Sequence, residues 1–201
     1  MKRWPTLVAA VIVLAVIAVA GLGLAFVGRS GRPSMGGAAF GGPFELVDDT
    51  GAMVTERTLA GKPYAMYFGY TFCPEICPTT LFDLSRWIKA LGPDAERIHY
   101  VFVTVDPERD TRELMHAYVS SFDKHIRGYT GTLEQVARIA REYRVYYKKM
   151  PTSDGNYVMD HSTLIYLMSR SDALVTVIRY QEDDASALDK LRKLAAMRPV
   201  P

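Results

Sequence analysis

Two apolar runs of strand length constrain the fold of this chain most strongly. Residues 64–69 form a continuous apolar run, and residues 98–105 are almost wholly β-branched or aromatic. Strands that are buried on both faces have this composition, whereas a strand with one solvated face alternates polar and apolar residues. Between the two runs, residues 79–91 carry leucine and isoleucine at helical spacing, and Gly92-Pro93 ends that pattern. The sequence therefore predicts a sheet with helices on both faces.

Further elements are predicted on either side of this unit. A hairpin is predicted over residues 44–55, where aspartate and glycine supply the turn. Two helices, each opened by a threonine, are followed by two strands and a last helix; they are predicted over residues 111–121, 132–143, 163–168, 174–180 and 185–197. The order β-α-β-α-(α)-β-β-α predicts a mixed α/β sheet with flanking helices and resembles thioredoxin.

The amino terminus predicts a membrane segment. Residues 7–27 contain no charged side chain and are nearly all Val, Ala, Leu or Ile. A helix of about 20 such residues crosses a hydrocarbon core about 30 Å thick. Lys2 and Arg3 precede the run, so the positive-inside rule keeps that end cytoplasmic, although two arginines beyond the run weaken the asymmetry. We expect residues 1–28 to form a single-pass anchor in the cytoplasmic membrane, with the domain on the periplasmic or another extracytoplasmic side.

A cleaved signal peptide is the competing interpretation of this segment. Ala18-Val19-Ala20 has the small-residue spacing of a cleavage site. The apolar run continues beyond that site to Phe26, which favours the uncleaved anchor, and both interpretations export the rest of the chain. Residues 29–43 are rich in glycine and contain prolines, which predicts a flexible linker. Residues 44–201 are then predicted to form one globular domain.

Charge and cysteine content exclude several function classes. The chain has 24 Lys and Arg against 22 Asp and Glu, a net charge of +2, and the excess lies in Lys2 and Arg3. A nucleic-acid-binding surface needs an excess of basic residues that this domain lacks, so nucleic acid is not an expected partner. With 2 cysteines in 201 residues, a disulfide scaffold and a four-thiolate zinc site are also excluded.

The two cysteines, Cys73 and Cys77, lie where a predicted strand passes through a loop into a helix. Free N–H groups and the positive dipole at a helix amino terminus favour a thiolate over a thiol. If the segment is helical, sulfurs at i and i+4 face the same side, and one ion could bridge them. The ordinary redox motif has two intervening residues rather than three, yet dithiol exchange stays open beside metal binding. Prolines flank both cysteines, which disfavours two thiols merely packed in a core.

Copper is the metal that this set of residues fits best. Two thiolates and one imidazole form a soft ligand set that suits Cu(I) and, with an added oxygen, can hold Cu(II), whereas a closed zinc site needs a fourth ligand. His161 is the expected imidazole, because a thioredoxin-like fold brings the loop before the strand over residues 163–168 beside the cysteine-bearing helix. We expect His99 at the opposite end of the sheet, His116 in mid-helix and His125 in a charged loop.

Asp106 follows the strand over residues 98–105, at the sheet edge where the cysteine loop also begins. Two interpretations fit: it starts the next turn and helix, or it tunes the metal ligands without binding the metal itself. Glu75 is expected to be a solvated loop residue, and Met150 and Met159 to fill gaps in packing rather than to bind copper.

Four blocks of sequence resemble the Sco/SenC family of copper chaperones. They are residues 41–46, 61–78, 105–111 and 160–162, and the resemblance extends over about residues 40–180. In that family the two cysteines of C-P-x-x-C-P and a histidine that follows aspartate hold the copper. The resemblance therefore implies Cys73, Cys77 and His161 as the copper ligands of this chain.

The resemblance also implies a function. It predicts a membrane-tethered, thioredoxin-like protein that delivers copper, as Cu(I) or Cu(II), for assembly of the dinuclear copper centre of cytochrome c oxidase. The implied partners are the copper-accepting subunit of the oxidase and a copper-donating chaperone. The alternative is a thiol–disulfide oxidoreductase in which Cys73 and Cys77 form a redox-active pair that acts on the acceptor's cysteines. A peroxiredoxin-type peroxidase is disfavoured, because Thr71 lies two residues before Cys73 rather than three. We expect a metallochaperone rather than an enzyme.

Overall fold

The architecture is that of a computed structural model, which describes residues 40–197. The predicted anchor over residues 1–28 and most of the predicted linker over residues 29–43 lie outside this range. Among the described residues, no helix is long and apolar enough to cross a membrane.

The elements alternate between strands and helices along the chain. A 3-10 helix, Gly92–Arg97, directly follows the helix over Ile76–Leu91. In order, the elements are β1 (Glu45–Asp48), β2 (Met53–Thr55), α1 (Glu56–Leu59), β3 (Tyr64–Gly69), α2 (Ile76–Leu91), β4 (His99–Thr104), α3 (Arg112–Ser120), β5 (Ile126–Thr130), α4 (Leu133–Glu142), β6 (Tyr147–Pro151), β7 (Tyr157–His161), β8 (Ile165–Met168), β9 (Leu174–Ile178) and α5 (Asp184–Ala195).

Seven of the strands form one mixed sheet in the order β2-β1-β5-β4-β3-β8-β9. The three central strands, β5, β4 and β3, run parallel, and the outer pairs are antiparallel. β3 is buried along its whole length, and its neighbouring residues Tyr67 and Phe68 contact opposite partners, Cys77 of α2 and Tyr143 at the end of α4. The predicted central strand, covered on both faces, is confirmed.

Helix ends agree with the capping residues in the sequence. The Thr111 hydroxyl accepts a hydrogen bond from the backbone N–H of Leu114, and Thr132 forms a reciprocal capping box with Gln135. α2 ends at Leu91, and the next residue, Gly92, has a positive φ of 57°. It begins at Ile76, earlier than the predicted residue 79, so that Cys77 lies in its first turn.

Three parts of the fold were not predicted. The short helix α1 is one. The others are β5, which adds a parallel strand between α3 and α4, and the antiparallel pair of β6 and β7, which forms a separate two-stranded sheet. Consequently the expectation that His161 lies in a loop before a strand was wrong, since it is the last residue of β7. The pair of β6 and β7 was not predicted because β6 is exposed along almost its whole length and shows no alternation of apolar and polar residues.

Candidate metal centre

Cys73, Cys77 and His161 converge next to the carboxyl end of β3. One donor atom from each residue lies within 4.8 Å of the other two. Cys73 is in the loop after β3, Cys77 is in the first turn of α2 and His161 ends β7. Within residues 40–197, no other set of three or more histidine, cysteine, aspartate or glutamate side chains offers such a cluster. The structure thus brings together the three residues that the sequence indicated as metal ligands.

The imidazole of His161 is oriented with one nitrogen toward the sulfurs. Its Nε2 lies 3.5 Å from the Cys77 Sγ, and its Nδ1 lies 2.9 Å from the carbonyl oxygen of Ser162. Because a carbonyl oxygen can only accept a hydrogen bond, Nδ1 carries the proton and the lone pair of Nε2 faces the cysteines. Metal-binding histidines are commonly fixed by such a bond from the second nitrogen. The ring of Tyr70 packs edge-on against the imidazole at 5.8 Å.

The two sulfurs occupy different environments. Cys77 is fully buried, while Cys73 is partly exposed. Hydrogen bonds from the Cys77 thiol and from the backbone N–H groups of Cys77 and Glu75 lower the pKa of Cys73 to about 4, against the opposing effect of its own partial burial. The pKa of Cys77 is raised well above its usual value, because the Cys77 thiol donates a hydrogen bond to Cys73 and is buried. The reduced, metal-free site therefore holds one thiolate and one thiol at neutral pH.

Alkylation of the reduced protein by iodoacetamide is expected to show this difference. The rate at Cys73 should change little from about pH 7.5 to about pH 5.5, since the thiolate stays fully populated, whereas an ordinary cysteine slows about tenfold per pH unit. Mass spectrometry of the digested protein measures each site. Cys77→Ala removes the donor thiol and should make the rate at Cys73 depend more steeply on pH, while Cys77→Ser retains a donor. A rate at Cys73 in the wild type that fell tenfold per pH unit would contradict a lowered pKa.

Gly69 makes room for the buried sulfur. A Cβ at this position would lie 2.8 Å from the Cys77 Sγ and 2.7 Å from the ring of Phe102, both closer than side-chain carbons pack. The backbone of β3 can therefore approach α2 only because residue 69 has no side chain.

We expect Gly69→Ala to destabilise the protein by about 2 kcal/mol, because overpacking in a filled core costs this much, and to displace Cys77. Urea unfolding measures the free energy, and native-state alkylation reports the accessibility of Cys77. Gly128→Ala on β5 is the matched control, since its added Cβ would meet no heavy atom closer than 3.2 Å, the Cε of Met115. Equal stabilities for Gly69→Ala and wild type would show that the close approach is not limiting.

Asp106 is buried and is linked to the metal site by a hydrogen bond from Tyr157. Its carboxylate lies 2.5 Å from Nε of Arg109 and accepts a hydrogen bond of 3.0 Å from the hydroxyl of Tyr157. Tyr157 begins β7, the strand that ends at His161. The backbone carbonyl of Asp106 also accepts bonds from Arg109 and Asp110, as a residue that starts a turn would. Both interpretations of Asp106 thus have structural counterparts, and a tuning role remains a prediction.

Arg109 was not singled out from the sequence, although it lies three residues after Asp106. Its guanidinium carbon stands 3.7 Å from the ring centroid of Tyr157 and 4.8 Å from that of Phe72. Its Nη1 donates to the carbonyl oxygen of Tyr157 at 3.1 Å. Arg109 therefore joins the cysteine loop to the strand that carries His161.

The other histidines lie away from the cluster. His99 begins β4 and so lies at the opposite edge of the sheet from the cysteines. His116 on α3 bonds Asp49 at 3.0 Å, and His125 lies between Asp123 and Glu96 in the loop before β5. These placements agree with the expectations for all three residues.

A surface groove of about 370 Å³ opens onto Cys73 and His161. Its walls are mainly apolar, and they are formed by Tyr70, Pro74, Glu75, Ile76, Val158, Met159, Asp160 and Thr163. Glu75 is exposed, as predicted. An ion held by the cluster would thus be within reach of donor atoms from outside the protein.

The chemistry of the donor set fits a soft ion. Two sulfurs and one imidazole nitrogen suit copper, whereas a closed zinc site needs a fourth protein ligand. In the described part of the chain, no carboxylate belongs to the cluster to supply one.

The chain matches one protein-family model and several curated proteins. The family model described as SCO1/SenC matches residues 32–196. The mitochondrial protein SCO1 homolog 1 of Arabidopsis thaliana is 46% identical over 138 residues, which are 68% of this chain and 41% of the relative. Mitochondrial SCO2 of Saccharomyces cerevisiae is 37% identical over 163 residues, 79% of this chain and 54% of the relative. The chain thus spans about half the length of these curated relatives.

Solved structures share the thioredoxin-like mixed α/β fold. ScoI of Bradyrhizobium japonicum with copper bound is 46% identical, with a TM-score of 0.73 over 78% of this chain and 99% of that one. BsSco, a member of the Sco family of cytochrome c oxidase assembly proteins that has a disulfide switch, has a TM-score of 0.64 over 80% of this chain and 96% of its own. At its 17% identity, this second likeness shows the fold alone. From the match to the family model and the nearly complete coverage of ScoI, the chain belongs to the SCO1/SenC family.

Proposed function

We propose that the protein binds one copper ion through Cys73, Cys77 and His161 and delivers it for assembly of the dinuclear copper centre of cytochrome c oxidase. The convergence of the three donor atoms within 4.8 Å carries this proposal. The likeness to copper-bound ScoI, at 46% identity, supports copper as the ion. The description of the Sco family as cytochrome c oxidase assembly proteins supports the destination.

Each residue has a distinct part in binding. The lone pair of His161 Nε2 and the thiolate of Cys73 are available in the reduced protein, and Cys77 loses its proton when the ion enters. Binding therefore releases protons, and the affinity for copper falls at low pH. Since Cys73 is the partly exposed ligand beside the groove, donor atoms of an acceptor reach the ion from that side. Delivery is then an exchange of ligands and requires no turnover.

Thiol–disulfide exchange is the second candidate function, and the pKa of about 4 at the partly exposed Cys73 favours it. The Cys73 thiolate would attack a disulfide of the acceptor and release one acceptor sulfur as a thiolate, which leaves a mixed disulfide. Cys77, once deprotonated, would attack the Cys73 sulfur and release the second acceptor thiolate. The acceptor disulfide is thereby reduced, and Cys73 and Cys77 are oxidised to a disulfide.

The proposal also includes a location in the cell and binding partners. Residues 1–28 would anchor the protein in the cytoplasmic membrane, residues 29–43 would form a linker, and residues 44–201 would form the copper-binding domain on the extracytoplasmic side. The charge-free run over residues 7–27 supports this arrangement. The partners would be the copper-accepting oxidase subunit and a copper-donating chaperone.

A copper titration of the reduced, full-length chain in detergent tests the function. We expect one Cu(I) per chain, with X-ray absorption showing two sulfurs and one nitrogen around it. The variant with both cysteines replaced by serine serves as the control and should bind no copper tightly. If the wild type bound no stoichiometric copper but reduced a model peptide disulfide, the oxidoreductase would be favoured instead.

A further inference from the structure

We propose that Tyr67 is a positioning residue that sets the redox preference of the copper site. Its hydroxyl would donate a hydrogen bond to the sulfur of Cys77 when that sulfur binds copper, and so stabilise Cu(I) relative to Cu(II). This inference rests on the proposed copper-binding function.

The geometry places the hydroxyl of Tyr67 against the inner sulfur. The Oη of Tyr67 lies 3.6 Å from the Cys77 Sγ, within hydrogen-bond distance for sulfur. Tyr67 is fully buried in the middle of β3, and its ring packs beside Phe102 at a centroid distance of 5.9 Å and near His161 at 6.3 Å. A ring fixed in this way holds its hydroxyl at the sulfur, with no bulk water to compete for the proton.

The hydrogen bond has a defined direction once copper is bound. A copper-bound cysteine is a thiolate, so its sulfur can only accept, and the phenolic O–H of Tyr67 must be the donor. Such a bond draws electron density from the sulfur and makes it a weaker donor to the metal. Cu(II) depends more on that electron density than Cu(I) does, so the bond favours the reduced ion. Hydrogen bonding around a cysteine sulfur tunes other copper sites in this way.

The two sulfurs would therefore bind copper unequally. Cys73 is partly exposed beside the groove, whereas Cys77 is enclosed by Tyr67, by the backbone of Gly69 and by α2. The weakened Cys77 bond lies on the inner side, and the ligand nearest to an incoming acceptor is Cys73.

Tyr67→Phe removes the hydroxyl and keeps the ring. In the variant loaded with Cu(II), we expect the thiolate-to-copper charge-transfer band to move to longer wavelength, because the sulfur becomes easier to oxidise. The ratio of Cu(I) to Cu(II) affinity should fall by up to about tenfold, which corresponds to one net hydrogen bond. The copper stoichiometry should stay the same. Tyr100→Phe on β4 is the matched control, since the Tyr100 hydroxyl is also buried but has no hydrogen-bond partner.

The outcomes separate the two proposals. If the wild type takes up no copper, the proposed function fails first. If copper binds and Tyr67→Phe has the wild-type band and affinity ratio, or if Tyr100→Phe shifts both equally, the role of Tyr67 is overturned. Should Tyr67→Phe not fold, proton NMR of the wild type loaded with Cu(I) decides. Thr80, a buried residue of α2, is the other side chain that hydrogen-bonds the Tyr67 hydroxyl. A Tyr67 hydroxyl proton close to the Cys77 β-protons supports the bond to sulfur, and a hydroxyl proton close only to Thr80 overturns it.

Discussion

Replacing His161 with alanine is expected to lower the affinity of the reduced protein for Cu(I) by about a hundredfold or more. Loss of a residue that only orients a metal ligand costs about 10–100-fold, and loss of the ligand itself should cost at least as much. Thiol exchange at Cys73 should stay close to the wild-type rate at pH 7, because it needs sulfurs and no imidazole. The pKa of Cys73, about 4, lies so far below 7 that the thiolate persists in the variant.

Competition against a chelator of known Cu(I) affinity measures the first effect, and reduction of a model peptide disulfide measures the second. His116→Ala is the matched control, since His116 lies on α3 and bonds Asp49 outside the cluster. If His161→Ala held copper as tightly as the wild type, His161 would not be a ligand. If both activities fell together, the fold of the site would depend on His161, and circular dichroism would show it.

The sequence predicted the two central strands β3 and β4 correctly, because a strand that is buried on both faces is almost wholly apolar. β3 and β4 are almost wholly apolar or β-branched, and nearly all of their residues are buried. β6 and β7 left no such pattern, since β6 is a largely exposed strand whose pairing with β7 is specified by backbone hydrogen bonds. β7, the strand that carries His161, was therefore not predicted, although His161 itself was predicted as a ligand.

The metal ligands could be predicted from the sequence, but the residues that hold them in place could not. Cys73 and Cys77 are neighbours in sequence and form a motif. The support from Arg109 depends on Tyr157, 48 residues away, and the bond from Tyr67 to Cys77 depends on the register of β3 against α2. Such contacts arise from tertiary packing, and a single sequence carries no pattern that marks them.

The second large effect is expected at Asp110, whose carboxylate fastens the cysteine loop from within the core. It is fully buried and accepts three hydrogen bonds: from the Thr71 backbone N–H at 3.0 Å, from the Thr71 hydroxyl at 2.6 Å and from the Thr104 hydroxyl at 2.6 Å. Asp110→Ala would leave the buried hydroxyl of Thr104 and the two half-buried donors of Thr71 without this acceptor. We expect a loss of about 3 kcal/mol, which for a domain of this size lowers the melting temperature by roughly 6–12 °C.

Asp110→Asn keeps the shape of the side chain and changes its hydrogen bonds, so it separates these two effects on stability. The amide keeps one acceptor oxygen but turns an NH₂ group toward donors, so its melting temperature should fall between those of wild type and Asp110→Ala. Because Thr71 lies two residues before Cys73, loosening this loop should also weaken the hydrogen bonds that hold the Cys73 thiolate. Alkylation of Cys73 in Asp110→Ala should then slow at about pH 5.5 more than in the wild type. A melting temperature for Asp110→Ala equal to that of the wild type would mean that the loop holds its shape without this carboxylate, and that the first turn of α2 alone positions the cysteines.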